Sequence, residues 1–197
     1  MHKLFYSLFC FLLGCASCTV DKPTDSSANN ILDDRPWEVW SECSQQLNDH
    51  PCNFSLQNQH GDTVELYDFY GKVIIVDLSA MWCGPCSSMA YAADPIVNEY
   101  GASKLEWLTI IIDNESGTSP DQNDVQRWAE IHGITGHVLM GDRTIIATDA
   151  ELRTGYPVTG WPTFVVIDQE MILRHGVTGW SESVLRQLLD QLITEGE

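Results

Sequence analysis

The feature that most constrains this chain is the pentapeptide Trp82-Cys83-Gly84-Pro85-Cys86, set directly behind the run Val73-Ile74-Ile75-Val76-Asp77-Leu78. A short continuous stretch of β-branched residues predicts a strand buried on both faces. After the pentapeptide, Met89, Ala92, Ala93, Ile96, Val97 and Tyr100 recur at helical spacing, so the two cysteines open a helix, and Pro95 inside it predicts a kink. A cysteine at that point meets backbone N–H groups without helical partners, and their partial positive charge stabilises a thiolate. The second cysteine lies one turn along, within reach of the first. Gly84 lets a partner chain approach closely, and Pro85 is tolerated in a first turn because its missing N–H would have had no partner there. An ordinary thiol is only about 3% ionised at pH 7, so even a modest downward shift raises reactivity. Two other uses of the spacing stay open on these residues alone, a zinc half-site and an inert disulfide. Zinc needs two further ligands. Cys43 and Cys52 are spaced too widely for a matching knuckle, and His132 and His137 lie near no cysteine in sequence, so no metal and no cofactor is expected.

Around this centre the pattern alternates between strands and helices. Phe54 and Leu56, then His60-Gly61-Asp62, then Val64, Leu66 and Tyr67 read as a β-hairpin near the start of a domain at Asn53. Residues 105–112 form a second buried run. A polar loop over 113–123 then feeds a helix through Val125, Trp128, Ala129 and Ile131 that ends at His132-Gly133. Val138-Leu139-Met140 predicts a short strand and 144–152 a further helix. Strands follow at 163–167 and 171–175, then a helix over 181–193 with Ser181 as its cap and Val184, Leu185, Leu188, Leu189 and Leu192 on its apolar face. Strand-helix-strand followed by strand-strand-helix implies an α/β domain with a central mixed sheet flanked by helices.

With these residues in place the chain resembles the thioredoxin-like family, and its layout over about residues 53–195 is similar to the exported TlpA/ResA-like thiol-disulfide oxidoreductases. Three motifs carry the resemblance: Trp82 to Cys86; Asp77, six positions before Cys83; and Gly160-Trp161-Pro162-Thr163-Phe164. The resemblance implies the thioredoxin fold, with an N-terminal hairpin and an insertion between the βαβ and ββα halves. It implies protein-disulfide reduction through Cys83 and Cys86, with Asp77 moving a proton to and from Cys86. It also implies a cis Pro162 facing the pair and a substrate groove lined by Trp82, Gly84, Pro85, Trp161 and Thr163. Disulfide-containing proteins would be the substrates, a membrane thiol-electron carrier the electron donor, and a monomer the working form. Gly-Pro between the cysteines resembles the reducing members. Two departures stand out. The family pairs its buried acid with a lysine on the next strand, whereas Leu108-Thr109-Ile110-Ile111 has none, and Trp161 is bulkier than the residue thioredoxin carries before its proline. Asp77 as a purely structural carboxylate, the domain as a redox-inert binding or chaperone-like module, and a thiol peroxidase of related fold are the competing readings. Against the peroxidase, Ser79-Ala80-Met81-Trp82 lack the Pro/Thr pattern that binds peroxide.

The first residues read as an address rather than as fold. His2 and Lys3 precede an apolar run over 4–13, Gly14 and Cys15, which has the form of a signal peptide over 1–14 and is too short to span a bilayer comfortably. Leu12-Leu13-Gly14-Cys15 resembles the bacterial lipobox, which implies acylation of Cys15 and a lipid anchor to the membrane; ordinary cleavage or use of Cys18 stays open. The resemblance to Gram-negative lipoproteins further implies the outer membrane of the cell envelope, since Ala16 rather than Asp follows the cysteine. Residues 15–35 read as a flexible tether, and 36–52 as an N-terminal extension in which Trp37, Val39, Trp40 and Leu47 form a short helix or lid. In an oxidising compartment Cys43 and Cys52 are candidates for a structural disulfide, with two free thiols as the alternative. With 28 acidic residues against 10 basic, a net charge of −18, the surface repels phosphate backbones, so no nucleic-acid partner is expected.

Overall fold

A computed structural model of the chain describes residues 36–40, 42–147 and 155–195. The signal peptide over 1–14, the tether over 15–35 and the lipidation candidate Cys15 lie outside the described residues. The chain divides into two units, Met1–Glu38 and Val39–Glu197. The described part of the first is the start of a 3-10 turn, Pro36–Val39; the second carries everything that follows.

Its centre is a five-stranded mixed sheet in the order β5-β4-β3-β8-β9. β3 (Val73–Ala80) and β4 (Leu105–Asp113) run parallel, as do β4 and β5 (His137–Met140). β8 (Thr163–Ile167) and β9 (Leu173–Thr178) complete the other side antiparallel. Every residue of β3 is buried, as expected for a central strand dominated by apolar and β-branched side chains; Asp77 and Ser79 are its buried polar residues. The crossovers β3-α-β4 and β4-α-β5 both step the same way across the sheet. A right-handed connection therefore puts their helices on one face. That face carries α1 (Gly84–Ala90), α2 (Ala93–Tyr100), α3 (Gln122–His132) and α4 (Glu182–Glu195). Val73, Ile75, Trp107, Phe164 and Val166 meet Met89, Ile96, Leu185 and Leu189 there. The alternate residues Ile74, Val76, Leu78, Leu108, Ile110 and Val165 pack on the opposite side against Phe54, Val64, Leu66 and Tyr156.

Pro95 breaks the helix rather than merely bending it. α1 ends at Ala90 and α2 starts at Ala93, because a proline at 95 has no N–H to offer the carbonyl of Tyr91 and its ring crowds that group. The hairpin forms from β1 (Ser55–Gln57) and β2 (Thr63–Glu65), but Leu66 and Tyr67 leave it for a 3-10 helix, Leu66–Phe69, started by a reciprocal Glu65/Asp68 capping box. The helix expected over 144–152 is not formed at its start: Ile146–Ala147 is β6, paired parallel with β7 (Tyr156–Pro157). Asp142 turns the chain by accepting from Thr144 N at 2.7 Å, and consecutive β-branched residues then favour extended backbone. The remainder of that expectation, 148–154, lies outside the described residues. The last strand begins at Leu173 rather than Met171, which sits at φ +59° in the β8–β9 turn.

Disulfide Cys43–Cys52, S–S 2.06 Å, closes a small loop that lies on the end of the edge strand β9. Asn48 N donates to Leu173 O at 2.8 Å, and Leu173 N to Asp49 O at 3.0 Å. Trp40 stacks on His50, ring centroids 3.7 Å apart, whose Nδ1 donates to Met171 O at 2.8 Å.

Candidate active site

At the C-terminal end of β3 the chain runs through Met81 and Trp82 into Cys83, whose backbone is extended (φ −90°, ψ 108°), and then directly into α1 with Pro85 in its first turn. Cys83 and Cys86 are joined, S–S 2.18 Å. The Cys86 N–H donates to Cys83 Sγ at 3.2 Å, and Ser87 N donates to Cys83 O at 3.1 Å. Burial distinguishes the two sulfurs: Cys86 is 0% exposed and Cys83 6%, with exposed Gly84 and Pro85 between them and exposed Trp82 before them. An incoming chain therefore meets Cys83 first.

β8 begins opposite this point. Thr163 is the register partner of Leu78, so the segment before β8 arrives at the end of β3 from which the pentapeptide leaves. The Trp161–Pro162 peptide bond is cis, the turn being fixed by Thr163 Oγ1 donating to Gly160 O at 2.7 Å and Gly179 N donating to Pro162 O at 2.8 Å. Trp161 packs against the apolar cluster that contains both cysteines and meets Trp82 edge-on, centroids 6.0 Å apart. All the residues proposed from sequence for the groove thus sit at one end of the sheet.

Asp77 continues the row Val73, Ile75 on the helix-bearing face and is fully buried. Ser79 Oγ donates to its Oδ1 at 2.6 Å and Thr109 Oγ1 to its Oδ2 at 3.1 Å. Burial raises its pKa from 3.8 to about 6, against the opposing pull of Ser79, Thr109 and the Trp107 indole. The Trp107 Nε1 has no hydrogen-bond partner within bonding geometry among the described residues.

Three residues at this site were not legible as such. Thr109 takes the register position opposite Asp77. Trp128, on α3, packs in the cluster around Cys83 and Cys86. His132, in the last turn of α3, has its Nε2 2.8 Å from Ser87 Oγ, next to Cys86. The spacing of Trp128 and His132 marks them as neighbours on one helix face, but not which element that face meets. Asp113, 1% exposed, ends β4 beside the pentapeptide; its carbonyl accepts from Met81 N at 2.9 Å, and its carboxylate pairs with Arg143. Among the described residues no cluster of three or more His, Cys, Asp or Glu side chains is placed to hold a metal ion.

Residues 47–176 match the model of the AhpC/TSA family. Thioredoxin-like protein YneN of Bacillus subtilis is 26% identical over 110 residues, 56% of this chain and 60% of that protein, so the match spans less than two thirds of that relative's length. Among solved structures, the exposed lipoprotein thioredoxin Etrx1 of Streptococcus pneumoniae is 27% identical with a TM-score of 0.54, covering 72% of this chain and 100% of that one. A thioredoxin-family thiol:disulfide interchange protein of Chlorobium tepidum is 21% identical with a TM-score of 0.60, covering 73% and 94%. The architecture is the thioredoxin fold, a central mixed sheet flanked by helices.

Proposed function

The chain belongs to the AhpC/TSA family, and from that membership together with its Cys83–Cys86 disulfide we propose that it is a thiol-disulfide oxidoreductase that reduces protein disulfides in the cell envelope. The observation that carries the reading is the asymmetry of the pair: Cys83 at the N-cap of α1, 6% exposed beside the exposed Trp82, Gly84 and Pro85, and its mate fully buried one turn on. In the reduced protein, Cys83 thiolate attacks a client disulfide, forms a mixed disulfide and releases one client thiolate, which takes up a proton from solvent. Cys86 gives its proton to the Asp77 carboxylate and attacks Cys83 Sγ, expelling the second client thiolate, which takes up a proton from solvent. Two electrons pass to the client and the pair is left oxidised. A thiol-electron carrier in the membrane returns it to the dithiol. Attachment through an acylated Cys15 would place the domain at the periplasmic face of the outer membrane; the exposed lipoprotein Etrx1, one of its structural neighbours, supports an envelope location.

Insulin reduction with dithiothreitol as donor tests the chemistry. Cys83→Ser is expected to abolish turnover, and Cys86→Ser to accumulate mixed disulfides with clients and with the donor. Full activity of Cys83→Ser would end the reading. A pair that stays oxidised across glutathione buffers would favour an inert binding module, and rapid peroxide consumption a peroxidase. The measured reduction potential of the pair fixes the direction of electron flow.

A further inference from the structure

α1 is only seven residues long, and the break at Tyr91-Ala92 separates it from α2. Its first turn nevertheless has to hold the Cys86 N–H against Cys83 Sγ. Besides the packing of Cys86 itself, a polar side chain from α3 ties this turn to the rest of the domain. His132 is 8% exposed, and its Nδ1 lies 2.9 Å from the carbonyl of Trp128. A carbonyl only accepts, so Nδ1 carries the proton and, in the neutral ring, Nε2 is the acceptor. The group facing Nε2 at 2.8 Å is the hydroxyl of Ser87, which donates. Tyr91, at the other end of α1, lies against the same imidazole with centroids 4.7 Å apart. The imidazole thus meets α1 at Ser87, where its first turn closes, and at its C-cap Tyr91, while the helix that carries it also supplies Val125, Trp128 and Ala129 to the apolar wall around Cys83 and Cys86. The ring's hydrogen-bond and ring partners, Ser87, Tyr91 and Trp128, are all uncharged.

We propose that His132 is a positioning residue for the redox pair, acting through its hydrogen bond with Ser87 to hold the first turn of α1 where the Cys86 N–H stabilises the Cys83 thiolate. The proposal rests on the thiol-exchange reading for its use, but not for its test. Loosening the turn weakens the N–H···S bond, disfavours the thiolate and therefore the reduced state. Because Asp77 and the cysteines are untouched, the effect is on the readiness of Cys83 and not on the route of the proton.

The test follows alkylation of the Cys83 peptide by mass spectrometry in the full, dithiothreitol-reduced protein between pH 5.5 and 8.5, alongside equilibration of the pair with glutathione. Variants are His132→Ala, His132→Gln, Ser87→Ala and the double variant. In His132→Ala and in Ser87→Ala, alkylation at pH 6.5 is expected to slow about three- to tenfold, its pH midpoint to rise, and the glutathione equilibrium to move three- to tenfold toward the disulfide. The double variant should be no worse than either single one, since both remove one bond. Gln, whose Oε1 can accept in place of Nε2, should restore most of the loss. Unchanged alkylation and equilibrium in Ser87→Ala, or full additivity in the double variant, would overturn the proposal, and Ser87→Ala keeps it decidable if His132→Ala does not fold. Failure of the exchange reading is separate: it would appear as a wild-type pair that does not equilibrate with glutathione, while the alkylation profile still reports on the clamp.

Discussion

Asp77 accepts a 3.1 Å hydrogen bond from the hydroxyl of Thr109, its register partner on the neighbouring parallel strand. The position opposite a buried acid could hold a cation; here it holds a neutral donor, and Ser79 supplies a second one. Two hydroxyls give each carboxylate oxygen one donor without neutralising the charge, so burial wins and the pKa rises to about 6. An acid in that range exchanges its proton readily near neutral pH, the property a proton acceptor for Cys86 needs.

The first consequence is kinetic. In single-turnover mixing of reduced protein with a model disulfide, decay of the mixed disulfide at Cys83 should slow as pH falls through about 6, where Asp77 takes up its proton. Asp77→Asn should remove that inflection and slow the decay about a hundredfold at pH 7, the lower end of what a positioned base contributes. Formation of the mixed disulfide should be far less affected. An unaltered decay rate in Asp77→Asn would assign the proton to another group.

The same carboxyl sets a pH dependence of stability. Its folded pKa lies above the unfolded value, so the folded state binds the proton more tightly. The cost of burying the charge is absent below about pH 4 and fully present above about 6. By linkage, a carboxyl moved from 3.8 to about 6 weakens the fold by about 3 kcal/mol at neutral pH relative to acid. Asp77→Asn, which keeps the shape and cannot ionise, should therefore stabilise the oxidised protein more at pH 7.5 than at pH 4.5. Urea unfolding at the two pH values measures the difference; a gain of equal size at both would show that the charge is not what Asp77 costs.

Much of this site was legible because its determinants are local. The strand before Cys83, the helix after it and the proline in that helix each announce themselves within a few residues, whereas the register of β3 with β8 is seen only in the structure. The partners that tune the site are not local. Thr109 reads as one more β-branched residue of a buried strand, and only pairing with β3 turns its hydroxyl toward Asp77. His132 reads as the end of a helix, and only the packing of α3 brings it to Ser87 across 45 residues of chain. The misplaced edges have a shared cause: Leu66, Tyr67 and 144–147 carry apolar and β-branched residues whose periodicity is too short to separate strand, 3-10 turn and helix.

The disulfide-closed loop at the edge of β9 should matter for stability and not for exchange. Cys43–Cys52 constrains a loop of nine residues in separation, for which the lost freedom of the unfolded chain corresponds to about 2–3 kcal/mol. Cys43→Ala/Cys52→Ala should lower stability by that amount in urea unfolding under non-reducing conditions, and the gap should close when both proteins are unfolded in reductant. Insulin reduction at 25 °C should stay within about twofold of wild type, because the backbone bonds that anchor the loop go to Leu173, and that of His50 to Met171, at the far end of β9 from Thr178, although Gln45, Gln46 and Leu47 line one side of a cavity that Thr163 and Thr178 also line. A large loss of activity in a folded variant would instead connect the loop to the client groove.

Gly141, just past β5, donates its N–H to Ile111 O at 3.0 Å and stands where a side chain does not fit. A Cβ there would come within 2.5 Å of Ile110 Cγ2, 3.1 Å of Ile111 O and 3.2 Å of Ile112 Cδ1. The first and third contacts involve side chains of the fully buried core and the second a backbone oxygen within β4, so none can give way without moving the sheet. Gly141→Ala should therefore cost about 1–3 kcal/mol, the usual price of overpacking, and lower Tm by several degrees for a domain of this size. Gly136→Ala is the control: its Cβ would make an ordinary contact at 3.8 Å with Trp107 O, and its Tm should stay close to wild type. Because Ile111 also belongs to the cluster that holds Cys83 and Cys86, the displaced end of β4 should carry a second signature, a shift in the glutathione equilibrium of the pair in Gly141→Ala but not in Gly136→Ala. Equal melting temperatures for the two alanine variants would mean that the end of β5 yields more easily than its contacts allow.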